Sequence, residues 1–126
     1  MALRFLKIAV VYLFVGACLG LAMGISGKFT LAPVHAHLLL LGWVSLALAG
    51  LVYHWYPTAS ATRLAHLHFW LHNIGLPGFM IGLAVMLTGE ARALPLVAGF
   101  AVMALLGLGL FAANVLFNIK PADRAG

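Results

Sequence analysis

Acidic residues are nearly absent. The chain of 126 residues has two, Glu90 and Asp123, and only 7% of its residues are charged, against about 25% in an average soluble domain. Acid–base hydrolysis and phosphoryl transfer therefore lack their groups, and neither a GxSxG elbow nor a P-loop occurs. A single cysteine, Cys18, cannot close a bridge within the chain, which excludes a disulfide scaffold. Disorder is excluded as well, because the charge is too low for it and 65% of the residues are hydrophobic, with a mean hydropathy of +1.14. A chain of this size cannot hide that much apolar surface from water. It reads as an integral membrane protein.

What charge there is has one sign. Seven Lys and Arg residues give a net charge of +5 and a pI near 10. In a soluble domain this balance would suggest nucleic acid. Here the cations stand singly at the ends of apolar runs, with no cluster to track phosphates. They read as topology charges beside lipid headgroups, and no nucleic-acid partner is expected.

Four apolar runs are present, about Phe5–Ile25, Val34–Tyr56, Leu64–Leu87 and Leu94–Phe117. Each approaches the roughly 20 residues that cross a 30 Å hydrocarbon core. Ser26-Gly27-Lys28 with Pro33, Pro57 through Arg63, and Gly89 through Arg92 with Pro95 separate them. No period-two alternation supports a barrel. The expectation is an all-α, four-helix integral membrane bundle forming a single domain over residues 1–126. Gly16, Gly20, Gly24 and Gly42, with Gly99, Gly107 and Gly109, suit close packing between membrane helices. With both termini on one side, Arg4, Lys7, Arg63, Lys120 and Arg124 face Lys28 and Arg92 across the membrane. That asymmetry places both termini in the cytoplasm, in a bacterial-type inner membrane. Val15-Gly16-Ala17-Cys18 weakly resembles a lipoprotein cleavage site, but the first run is long enough to span and is read as an uncleaved helix.

Six histidines stand out against this background, all on the second and third runs. Ionisable or metal-binding groups inside a membrane are expensive and are functional candidates by default. His35 and His37 begin the second helix. Two residues apart, they point about 200° from one another, so one unbroken helix cannot easily aim both at one ion. They can serve two sites, one on each flank. The stripe under His35 runs through Gly42, Leu46, Ala49 and Tyr53, and Gly42 and Ala49 leave room for something flat. Neutral imidazole is a good axial ligand for haem iron. The alternative is a pair of interfacial histidines with their tips among the headgroups.

His68 and His72 lie four apart on one face, a workable metal-ligand spacing, and His54 could approach from helix 2. The alternative is interhelical hydrogen bonding. No Cys or carboxylate accompanies them to favour zinc. His66 faces away from His68. Trp43, Trp55, Trp70, Tyr53 and Tyr56 suit interfacial and lipid-facing surfaces, with a stacking role at a cofactor open to Trp43 or Tyr53.

His35-Ala36-His37, followed by an apolar helix closing in His54-Trp55-Tyr56-Pro57, resembles the tenth helix of subunit I of haem–copper oxidases. Leu67-His68-Phe69 through Leu87-Thr88-Gly89 and on to Arg92 is similar to the eleventh helix and the arginine-bearing loop after it. The resemblance covers about Val34–Arg92, with the first and last helices matching only as generic spans. It implies that His35 and His37 ligate haem iron, His35 as the high-spin and His37 as the low-spin type of ligand, and that Arg92 approaches haem propionates. The family's subunit has twelve helices, arranged with approximate threefold symmetry as three arcs of four. Its copper ligands and associated tyrosine lie on helices absent here, so terminal oxidase activity is not expected. One such arc could rebuild the ring as a homotrimer, with a bis-histidine haem b shared between His35 of one protomer and His37 of the next. The implied role is electron transfer, through an unidentified redox partner, or haem-based sensing. Two other readings stand beside it: a membrane copper-binding or oxidase-assembly protein using these histidines, and a structural subunit of a respiratory complex without a cofactor of its own.

Overall fold

A computed structural model describes residues 1–120; Asp123 and Arg124, one of the topology cations, lie outside the described residues. The fold is all-α, with four helices long and apolar enough to cross a membrane: α1 Ala2–Ser26, α2 Ala32–Trp55, α3 Arg63–Leu87 and α4 Leu94–Asn118. The expected runs match these within a few residues. Helix α1 starts earlier than expected and takes in both Arg4 and Lys7, whose long stems can follow the apolar surface to water.

Local chemistry sets the helix ends. Gly27 terminates α1 in the left-handed region at φ 66°, and its N–H bonds the Met23 carbonyl. Only glycine takes that conformation without strain. Pro33 sits in the first turn of α2 and Pro95 in that of α4, where a missing N–H does no harm. Thr62 caps α3, its Oγ1 accepting from Ala65 N–H at 3.1 Å. Glu90 caps the turn before α4 by accepting from Arg92 N–H at 3.2 Å.

Helix α2 carries a feature that no residue pattern had suggested. Its segment Leu38–Val44 is π-helical, and Ser45 N–H reaches back five residues to the Leu40 carbonyl. The buried positions Val34, Leu38, Gly42 and Leu46 recur every fourth residue. In a regular α-helix such positions drift by about 40° per step. The wider turn takes up the drift and keeps them on one line.

The helices pack chiefly as two hairpins, α1 on α2 and α3 on α4. Glycines permit this. A Cβ on Gly75 would lie 2.6 Å from the backbone of Ala104, and one on Gly107 would lie 2.9 Å from that of His72. Two apolar clusters then join the hairpins. One, toward the α2–α3 turn, gathers Phe5, Ala9, Leu46, Ala49, Tyr53 and Phe69. The other, toward the opposite end, gathers Val34, Leu38, Leu76, Met80, Leu83 and Val97. Large apolar side chains such as Phe14, Ile25, Leu105 and Phe117 are exposed along α1 and α4, as lipid contact requires.

Candidate functional site

The histidines divide into two groups by depth, as their positions along the chain imply. At the end bearing the α1–α2 and α3–α4 loops, His35 and His37 are both half-buried. His35 lies toward α1, with its Nδ1 2.8 Å from the Gly16 carbonyl. A carbonyl only accepts, so Nδ1 carries the proton and Nε2 keeps its lone pair. The ring rests on Gly20, where a Cβ would come within 2.7 Å of the imidazole Cε1. The missing side chain at Gly20 is the cradle for this ring. His37 lies toward α3, its ring against Phe79 at a centroid distance of 5.0 Å. Its Nδ1 donates to the Pro33 carbonyl one turn back, at 2.6 Å.

The pair therefore sits on opposite flanks of α2, with both Nε2 atoms free of hydrogen bonds among the described residues. An Nδ1–H held by a carbonyl with Nε2 left as donor is the arrangement that metal-ligating histidines use. His66 makes the same local bond, to the Thr62 carbonyl at 3.0 Å. That bond alone does not mark a ligand. Position does: His66 is exposed on the first turn of α3, away from His68 as expected.

Gly42 does not provide the expected slot. A Cβ there would meet the Tyr12 ring at 2.5 Å, so Tyr12 of the same chain already fills the space beside Gly42. Leu46, Ala49 and Tyr53, the rest of that stripe, are buried against α1 and α3. Arg92 is exposed in the turn before α4, and its guanidinium forms no ion pair among the described residues. An open cleft of about 550 Å³ lies at the same end, lined by Leu19, Met23, Lys28, Leu31, Leu87 and Thr88 among others.

The second group is built differently. His68 and His72 are fully buried. His68 lies between the rings of Phe5 and Phe111, at centroid distances of 4.9 and 5.1 Å. Its Nδ1 is 3.2 Å from the Tyr53 hydroxyl. His72 Nε2 donates to the Leu41 carbonyl, inside the π-helical turn, at 3.0 Å. His54 does not approach them. It is exposed, with its ring near Trp55, and Tyr53, one residue earlier, takes the inward position. Tyr53 is thus a core residue rather than an interfacial one. Among the described residues no group of three or more His, Cys, Asp or Glu side chains is placed to hold a metal.

Asn114 was not singled out by the sequence reading. Fully buried on α4, it donates to the Ala59 carbonyl at 2.9 Å and to the Tyr53 hydroxyl at 3.4 Å. Its Oδ1 accepts from Thr62 Oγ1 and from Asn118 Nδ2, both at 3.0 Å. This network ties α2, the α2–α3 turn, α3 and α4 together. The available signal was an amide inside the otherwise apolar fourth run. Comparison with protein-family models, curated proteins and solved structures finds no match to this chain.

Proposed function

We propose that this chain is a haem-binding membrane protein of the haem–copper oxidase subunit I kind, with His35 and His37 as iron ligands. One observation carries the reading. Both rings have Nδ1–H committed to a backbone carbonyl and Nε2 left as a donor, on opposite flanks of one helix. The Gly20 cradle further suits a fixed orientation of His35. This donor set fits haem, since two neutral imidazoles are sufficient axial ligands and need no carboxylate or thiolate. Bound b-type haem would supply one-electron transfer, or gas binding where one of the two imidazoles gives way.

The protein's own contribution is orientation and charge. The carbonyls of Gly16 and Pro33 fix each ring's tautomer. Lys28 and Arg92, at the same end, would neutralise the haem propionates. Because His35 and His37 diverge, His35 of one protomer and His37 of the next would together hold each haem. A closed ring of three identical contacts satisfies every ligand at once. The role is electron transfer to an unidentified partner, or haem-based sensing, without oxygen reduction. Both termini face the cytoplasm.

The purified protein's reduced spectrum, read with its detergent-corrected mass, tests this. Sharp α and β bands with one haem per chain in a trimer support the reading. Bound copper without haem reassigns the protein to copper handling, and neither cofactor leaves a structural subunit. A monomer that keeps a six-coordinate haem contradicts the shared site. Orientation is checked by single-cysteine labelling of Lys28→Cys and Arg63→Cys in a Cys18→Ser background. Only the first should react from outside, and equal labelling contradicts the topology.

A further inference from the structure

His68 and His72 each keep one buried ring nitrogen without a partner: Nε2 of His68 and Nδ1 of His72. Leaving a buried polar atom unpaired in a membrane interior is costly, and here two occur on rings in direct contact. The ring centroids are 5.5 Å apart. The other nitrogen of each ring is committed, to Tyr53 Oη in one case and to the Leu41 carbonyl in the other. Each histidine thus has one hydrogen-bonded nitrogen and one bare nitrogen, the pattern of a supported metal ligand.

We propose that His68 Nε2 and His72 Nδ1 bind one soft monovalent cation, copper(I), in the core of the bundle. The donors choose the ion. Both are neutral imidazoles, and no carboxylate or thiolate joins them: Cys18 is exposed on α1 and Glu90 sits in a loop. A divalent ion would carry its full charge into an apolar interior with nothing to offset it. A monovalent ion carries half as much. Imidazole suits copper, and copper(I) accepts few ligands. Metal–nitrogen bonds of about 2 Å to two rings whose centroids are 5.5 Å apart require a bare ion and not a hydrated one. His72 already has the required tautomer, because its Nε2–H is held by Leu41. His68 offers Nε2 when its ring proton sits on Nδ1 and is donated to Tyr53 Oη, the tautomer that binding selects. Two dative bonds form, nothing is oxidised, and no net proton leaves. The site is separate from His35 and His37 and does not depend on haem there.

The test uses the full chain in detergent, exposed to copper(I) under reducing conditions or to silver(I) as a redox-inert probe. We expect one ion retained per chain and an X-ray absorption spectrum showing two nitrogen ligands. His68→Asn and His72→Asn should each weaken binding at least about tenfold, while His72→Met, which keeps a soft donor, restores most of it. His35→Ala and His37→Ala should leave retention unchanged, which separates this site from the proposed haem site. Failure of the wild type to retain the ion, or retention by the double Asn variant, overturns the proposal. If the Asn variants do not fold, nitrogen NMR of the wild type decides. Silver(I) should shift the imidazole signals of His68 and His72, and shifts confined to other histidines overturn it.

Discussion

At one end of the bundle, His35 and His37 are half-buried, and each ties one nitrogen to backbone while leaving the other open. Toward the other end, His68 and His72 are fully enclosed, packed by phenylalanines and woven into side-chain and backbone hydrogen bonds. The same side chain serves two purposes. On the proposed reading, the partly exposed pair, with each tautomer fixed by a carbonyl, would receive a ligand from outside the chain. An enclosed imidazole joins helices, and its removal disturbs the core. The comparison therefore separates effects on haem binding from effects on folding.

The largest expected effect belongs to the enclosed half. Gly107→Val places new carbon against the His72 backbone, where even a Cβ would lie 2.9 Å away. Backbone cannot yield as a flexible side chain can, so a loss of about 3 kcal/mol is expected in detergent unfolding. Gly109→Ala, on the same helix with nothing within 4 Å of its Cβ position, should cost nothing. Equal losses would mean that α3 and α4 do not pack as described.

Asn114→Leu comes next. It removes the donor to the Ala59 carbonyl and the acceptor for Thr62 and Asn118. Hydrogen bonds inside membranes contribute modestly, so about 2 kcal/mol is expected for the set. Any haem spectrum should stay unchanged. A spectral change with stability intact would show that the two ends are not separate.

Gly20→Ala sharpens the other half. It should barely alter unfolding, yet the new methyl must displace the His35 ring, which would lie 2.7 Å away. Haem affinity should fall about tenfold, the size typical of disturbing a ligand's support. Gly24→Ala, one turn on with open space around it, is the control. The smallest effect is assigned to His66→Ala: under about 0.5 kcal/mol and no spectral change, although His66 makes the same backbone bond as His37.

The four spans were legible because apolar length is a strong signal and the breaks carry Gly and Pro. The divergence of His35 and His37 was also legible, since it follows from helical pitch. Contacts between helices were not. Nothing in the residue pattern says that Tyr12 fills the space beside Gly42 or that Tyr53, rather than His54, turns inward. Both depend on how α1 and α3 lie against α2. The π-helical turn was hidden for a related reason. It is a response to packing along α2, and the sequence there, Leu38 through Val44, reads as ordinary apolar helix. Asn114 could have been flagged by its cost alone, but its partners come from three separate parts of the chain.

The central claim is that the open histidine pair, and not the enclosed one, holds the haem. Reduced-minus-oxidised spectra of folded His35→Ala, His37→Ala, His68→Asn and His72→Asn proteins, each normalised to haem content per chain, test it most directly. The first two should lose or convert the haem bands, and the last two should keep them. Haem retained in the His35 and His37 variants but lost from the His68 or His72 variants would contradict the account and place the site at the other end of the membrane.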